Sequence, residues 1–386
     1  MKLMKKFMLV LLIIISSFVN TSCWDYKDVE RLNVVMSFAI DKDTKSNEYI
    51  LTVEVARPES GQNQAKYMSD IYESRGNTIF EAIRNLIPRI GKKAYWSHVS
   101  IGILGKAVAG EDVGSAIDFF YRDPEARGDM YILISKRETA KEILLTNHNP
   151  QELRAIKLRY VMENQKSSKK FPKTQLREII ENLQSKNKAI LVPTIDFRAS
   201  DDGLVTEING SAVLKQDKVV GYLTPEETQY ALWAMGKIDG GVLVVQNIIG
   251  DNNITFEIFG NKTKIKTDYI DNNAKIKVDI AADVSIGEVS NDVKFEKEEV
   301  KEQIRNEAER YFEDKVQYII KKMQNECKSD VFSFGKKFEI QNRGIWKKIK
   351  PTWSEEFLTA AVEVNVKLEI KGSAMTSRPI KEESGK

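Results

Sequence analysis

EINGSAVLKQDKVVGYLTPEETQYALWAMGK, residues 207–237, is the stretch whose reading decides the fold. GSAVLK and KVVGYL are two apolar-rich runs on either side of Gln216-Asp217, the spacing of a β-hairpin. TPEE then starts a helix. Thr224 is placed to cap it, Pro225 to sit in its first turn, and Glu227 to reach back to the cap. Ala231, Leu232 and Met235 carry an apolar face onward. A hairpin feeding straight into a capped helix means a sheet with helices packed against it.

Toward the C-terminus, GGVLVVQ, ITFEIFG, TKIKTDY and KIKVDIAADVSIGEV read as successive strands of period two. No helix intervenes, so an antiparallel sheet is expected. Residues 297–330 form the longest helix. Val300, Ile304, Ala308, Tyr311, Phe312, Ile319, Met323 and Cys327 make a stripe at spacings of three and four, which packs on its own sheet. VFSFGKKFEIQNR suggests a short helix, and residues 358–372 alternate strictly as a final strand. The tail, 373–386, has nothing to bury and is expected to be disordered. RASDDG, 198–203, is rich in turn formers and sets the expected domain boundary at 200/201.

Toward the N-terminus, residues 33–41 and 48–56 read as a strand hairpin. Residues 77–93 form a helix that Pro88 must kink or end. A strand at 98–104, a helix at 111–123 and a strand at 129–135 follow. Residues 138–145 and 149–165 are helical, with Pro150 in a first turn. KSSKKFPK, 166–173, reads as an exposed linker or loop; the helix KTQLREIIENLQS and a strand at 189–197 close the region.

The chain has 386 residues, 42% of them hydrophobic and 30% charged, enough for two or three domains without disulfide staples. Its net charge is +3, and Lys2, Lys5 and Lys6 supply that excess. Without the first 22 residues the charge is balanced, so nothing argues for nucleic acid as a partner. Those residues read as a signal peptide: a positive MKLMKK followed by a 13-residue apolar run, FMLVLLIIISSFV. The run is short for a membrane span of about 20 residues, although an uncleaved signal anchor is the alternative. The rest of the chain is expected to lie outside the cytoplasm.

Cys23 stands at the end of that leader. The other cysteine, Cys327, falls on an apolar helical stripe and reads as a buried free thiol. Cys23 is thus left unpaired, in the position of a bacterial lipoprotein's acylated cysteine. Thr21 and Ser22 suit that pattern, whereas Asn20 stands where an apolar residue is usual. His98 and His148 lack neighbours at metal-ligand spacing, and no nucleophile elbow, phosphate loop or dinucleotide fingerprint is present. No enzyme, metal or cofactor is expected.

Several blocks, in order, resemble the Ger(x)C family, the C-subunit lipoproteins of spore germinant receptors. They are CWDYKDVERLNVVMSFAIDKD (23–43), WSHVSIGILGKAVA (96–109), IDFFYRDPEARGDMYILISK (117–136), residues 208–241, DVFSFGKKF (330–338), WKKIKPTWSEEF (346–357) and VEVNVKLEIKGSAM (362–375). The resemblance implies an α+β, elongated fold of about three mixed domains, each a largely antiparallel sheet packed by helices. Region 23–200 then divides in two near 60 or within 136–150, and 201–372 is the C-terminal domain.

The resemblance also implies a non-enzymatic subunit. Its diacylglyceryl anchor on Cys23 holds it to the extracytoplasmic face of the spore inner membrane. It acts with integral-membrane A and B subunits to trigger germination. Trp24 and Asp25 are the residues expected beside the membrane or in contact with partners, the alternative being that they pack against the first domain. Direct germinant binding stays open. The other reading of leader and cysteine is an extracytoplasmic solute-binding lipoprotein.

Overall fold

A computed structural model describes residues 4–8, 32–59, 66–185, 189–201, 203–248, 252–289 and 297–373. They build two sheets. The first begins with β1 (Leu32–Lys42), β2 (Tyr49–Glu59) and β3 (Lys66–Gly76), an antiparallel meander. Its centre is parallel: β1 pairs with β5 (Ile101–Leu104), β5 with β6 (Tyr131–Ser135), and β6 with β7 (Ala189–Ser200). A short β4 (Lys93–Tyr95) also joins β1. The other wing is antiparallel again, with β8 (Gly203–Lys215) and β9 (Lys218–Leu223). The centre is parallel because helices cross over between its strands. Every residue of β5 and β6 is buried, as a sheet covered on both faces requires.

One face carries α1 (Ile79–Ile90), α2 (Lys106–Glu111), α3 (Val113–Arg122) and α6 (Leu176–Leu183). Phe38 stacks on Phe120 at 4.2 Å, and Trp96 meets Phe120 edge-on at 5.3 Å. Pro88 does not end α1; it sits in the last turn, two residues before the helix ends at Ile90 and is capped by Gly91. The opposite face carries α4 (Lys141–Leu145) and α5 (Arg154–Glu163) over Ile101, Ile103 and Leu133.

The second sheet runs β10 (Val242–Ile248), β11 (Asn252–Ile270), β12 (Asn273–Val289), β13 (Ala361–Ser373). The first three are antiparallel, and β13 is parallel to β12. ITFEIFG and TKIKTDY, expected as two strands, are one strand with a register shift between Ile258 and Gly260. The long helix α8 (Glu298–Lys322) ends in a π-turn, Met323–Cys327, closed by Lys328 at φ 49°. Its stripe packs on the sheet as expected, with Ile304, Ala308, Phe312, Ile319, Met323 and Cys327 all buried. Three short helices, α9 (Phe334–Gln341), α10 (Arg343–Ile349) and α11 (Trp353–Thr359), add Phe338, Trp346, Trp353 and Phe357 to this core.

The expected boundary at 200/201 falls inside the β7–β8 hairpin, and the first sheet continues to Leu223. The turn formers close a hairpin instead of separating domains. The joint is α7 (Pro225–Ala234). Ala189, Leu191, Val213 and Leu223 of the first sheet share a core with α7 and the second sheet. Across this joint Ser211 and Thr228 hydroxyls lie 2.8 Å apart, and Lys322 pairs with Glu227 at 2.6 Å. Gly210, at φ 73°, brings the two parts close: a Cβ there would lie 2.5 Å from the Leu223 carbonyl oxygen. The expected linker 166–173 is also packed. Phe171 and Lys169 are buried, Lys169 pairs with Asp239, and the Lys170 carbonyl accepts from Gly210 N.

Candidate functional site

Cys23, Trp24 and Asp25 lie outside the described residues. Cys327 is a free, buried thiol, as expected, and burial pushes its pKa up. No group of three or more His, Cys, Asp or Glu side chains among the described residues could hold a metal ion. His98 is exposed. His148 is partly buried, its Nε2 2.9 Å from Ser69 Oγ. No helix among the described residues is long and apolar enough to cross a membrane.

Three acidic side chains organise the molecule from inside. Glu54 on β2 is wholly buried. Its carboxylate accepts from Ser37 Oγ and Ser69 Oγ, each at 2.8 Å, and from the backbone N–H groups of Arg154 (2.7 Å) and Ala155 (2.9 Å). Those amides are the first of α5, so a strand carboxylate supplies the helix cap. This is why α5 starts at Arg154 and not near Pro150: the cap comes from 100 residues away. Asp41, at the end of β1, likewise accepts from Ala140 N (2.6 Å) and Lys141 N (2.9 Å) at the start of α4. Asp330 accepts from Phe334 N, Gly335 N and Trp353 Nε1. Desolvation raises the pKa of Asp41 and of Asp330 above the ordinary aspartate range.

The helix positioned by Glu54 forms one wall of an open groove of about 1000 Å3. Ala155, Leu158 and Met162 of α5 face the core, while Ile156, Tyr160 and Val161 stay exposed toward the groove. The opposite wall is the start of β8, with Leu204 45% and Val205 40% exposed. Tyr67 of β3 and the loop 146–149 close one end. Arg154 stiffens this loop: its guanidinium donates to the carbonyls of Ile143, Thr146 (2.7 Å) and Asn147 (3.0 Å). Burial pulls the Arg154 pKa down, and the charge of Glu54 opposes that shift.

The groove offers apolar area and backbone polar groups; the Ser69 hydroxyl beside His148 is buried and donates to Glu54, so the imidazole does not take its proton. Sequence reading gave α5 as a helix and missed its second apolar row. The signal was present in RAIKLRYVME, which is apolar on more than one face, a pattern a one-sided surface helix lacks. A second groove, of about 1070 Å3, lies on the other face between α1, α3 and α6, with Asp112, Asp118, Asp123 and Asp217 around it.

Comparison with known proteins covers the chain almost end to end. Residues 25–197 match the profile described as "Spore germination protein N-terminal domain". Residues 209–374 match "Spore germination B3/GerAC like, C-terminal". Spore germination protein B3 of Bacillus subtilis (strain 168) is 27% identical over 371 residues, covering 90% of this chain and 93% of the relative. Spore germination protein A3 of the same organism is 25% identical, covering 91% and 94%. Spore germination protein KC is 20% identical, covering 98% of both chains. A crystal structure of the GerBC protein superposes with a TM-score of 0.58 at 22% identity, covering 86% of this chain and 96% of that one, which shows a shared fold.

Proposed function

Because the chain belongs to the Ger(x)C family of spore germination proteins, we propose that it is a non-enzymatic, lipid-anchored subunit of a nutrient germinant receptor. The observation that carries this reading is the pair of family matches running in order from residue 25 to residue 374. The first begins at Asp25, two residues after Cys23. The proposed anchor is a diacylglyceryl group on the Cys23 thiol. Each buried methylene contributes about 0.8 kcal/mol, and two chains hold a protein at a bilayer stably. Trp24 and Asp25 follow at the membrane surface, where tryptophan favours the interface. The body then stands on the extracytoplasmic face of the spore inner membrane, in contact with two integral-membrane subunits. Helices held by buried carboxylates suit a protein that works through contacts.

Metabolic labelling with a fatty acid tests the anchor. Label is expected on the wild type and lost in Cys23→Ala; label kept in that variant excludes the site. Deletion of the gene is expected to slow germination with nutrients and leave germination with calcium dipicolinate intact. Loss of both responses would place the protein downstream of the receptor.

A further inference from the structure

The groove beside α5 contains an unpaired strand edge. Ser200 and Gly203 close a two-residue hairpin, and β7–β8 pairs alternate from there. Val205 and Glu207 therefore bond back to β7, while Leu204, Thr206 and Ile208 direct their N–H and C=O groups the other way. The Leu204 carbonyl follows that parity: it accepts from Asn147 Nδ2 at 2.7 Å. Among the described residues β9 pairs with β8 only from Ser211 onward, so no strand covers Thr206 and Ile208.

Two other edges, β3 and β13, are treated differently. On β3, Ser69 N donates to the Pro150 carbonyl, and Arg89 and Asn85 donate to the carbonyls of Glu73 and Arg75. On β13, Val366 N and Leu368 N donate to Glu313 and Glu309, each at 2.9 Å. Those contacts blunt the two edges, whereas on β8 the stretch between the Leu204 carbonyl, taken by Asn147, and Gly210 N, taken by the Lys170 carbonyl, is left open beside an exposed apolar wall.

We infer that this groove accepts an extended segment of a protein partner, which adds as a strand to β8 at Thr206–Ile208 and lays apolar side chains against Ile156, Tyr160 and Val161. Backbone donors and acceptors on one wall with apolar side chains on the other select a peptide chain over a lipid or small solute. Lys157 and Glu152 both line the groove, and no ion pair joins Lys157 to an acidic side chain among the described residues, so the segment carries a carboxylate opposite it. The inference rests on the receptor reading above, and the partner is one of the two membrane subunits.

The test uses the full chain in spores, with a photo-crosslinking residue at Tyr160 or at Val205. Both positions are expected to crosslink to one short stretch of a single membrane subunit. Thr206→Pro removes the outward N–H and leaves the bonds to β7, since proline is tolerated at strand edges. It is expected to cut the Tyr160 crosslink about fivefold to tenfold, while Thr206→Ala does not. Crosslinks only to lipid or to a second copy of the chain, or an undiminished yield in Thr206→Pro, overturn the inference. If gene deletion leaves nutrient germination normal, the receptor reading falls and this one with it. If deletion impairs germination and Thr206→Pro restores it as fully as wild type, the strand-addition inference alone falls.

Discussion

Glu54 holds α5 to the sheet through four accepted hydrogen bonds in a site with no solvent to replace them. Glu54→Gln keeps the volume but turns an NH2 group toward donors. We expect a loss of about 2–4 kcal/mol, read as a lowered urea midpoint, because buried donors are left unpaired. An unchanged midpoint would show that α5 does not depend on this cap. Asp330 gives a pH test. Its native pKa is raised, so its contribution to stability is fully present below the ordinary aspartate value and is lost as pH rises through the raised one. Relative to Asp330→Asn, the wild type should gain stability on acidification from neutral pH toward about pH 4. A difference between the two that is flat with pH, or of opposite slope, counts against the assignment. These residues also show what a sequence can display. Thr224 and Glu227 cap α7 as expected because donor and acceptor lie three residues apart. Glu54 serves amides 100 residues away, and nothing local marks it for that task.

At the scale of elements, β9 and the end of α8 meet where Gly221 faces Cys327. A Cβ on residue 221 would lie 2.7 Å from Cys327 Sγ. Gly221→Ala should therefore destabilise by about 1–3 kcal/mol through overpacking. In a Cys327→Ala background most of that cost should vanish, and a double-mutant cycle measures the coupling. Additive effects would mean that the strand and helix do not press on each other. Periodicity revealed α8, β12 and β13 because each has one buried face. For α5 it gave the helix and missed the exposed row of Ile156, Tyr160 and Val161, and it split β11 in two where a bulge resets the alternation at Ile258–Gly260. β3, KYMSDIYESRG, escaped notice because its core-facing positions include Ser69 and Ser74, whose hydroxyls bond to Glu54 and to the Ala82 carbonyl.

For the whole molecule, the shared core around α7 predicts a single cooperative unfolding transition for the two sheets. A fragment ending at residue 200 should fail to fold, since it leaves β7 without β8 and β9 and exposes Leu191. Proteolysis and denaturation of that fragment check this. A stable, monomeric product would restore a domain boundary at 200/201. Composition and motif order conveyed the α+β class and the family. They could not convey the order of strands within the first sheet, because parallel pairing of β1, β5, β6 and β7 depends on helices packing across it and leaves no local trace.

The parallel pairing of β13 with β12 also sets a timetable. A hairpin strand can find its neighbour within moments of being made. β13 cannot, because α8 and three further helices stand between it and β12 in the chain. The nine strands of the first sheet are complete once Leu223 has been synthesised, whereas the last partner of the second sheet arrives only with residues 361–373. Such distant pairings slow folding. The newborn protein should pass through a stage with a finished first half and a second half waiting for its final strand, and that interval is when it most needs shelter from its neighbours.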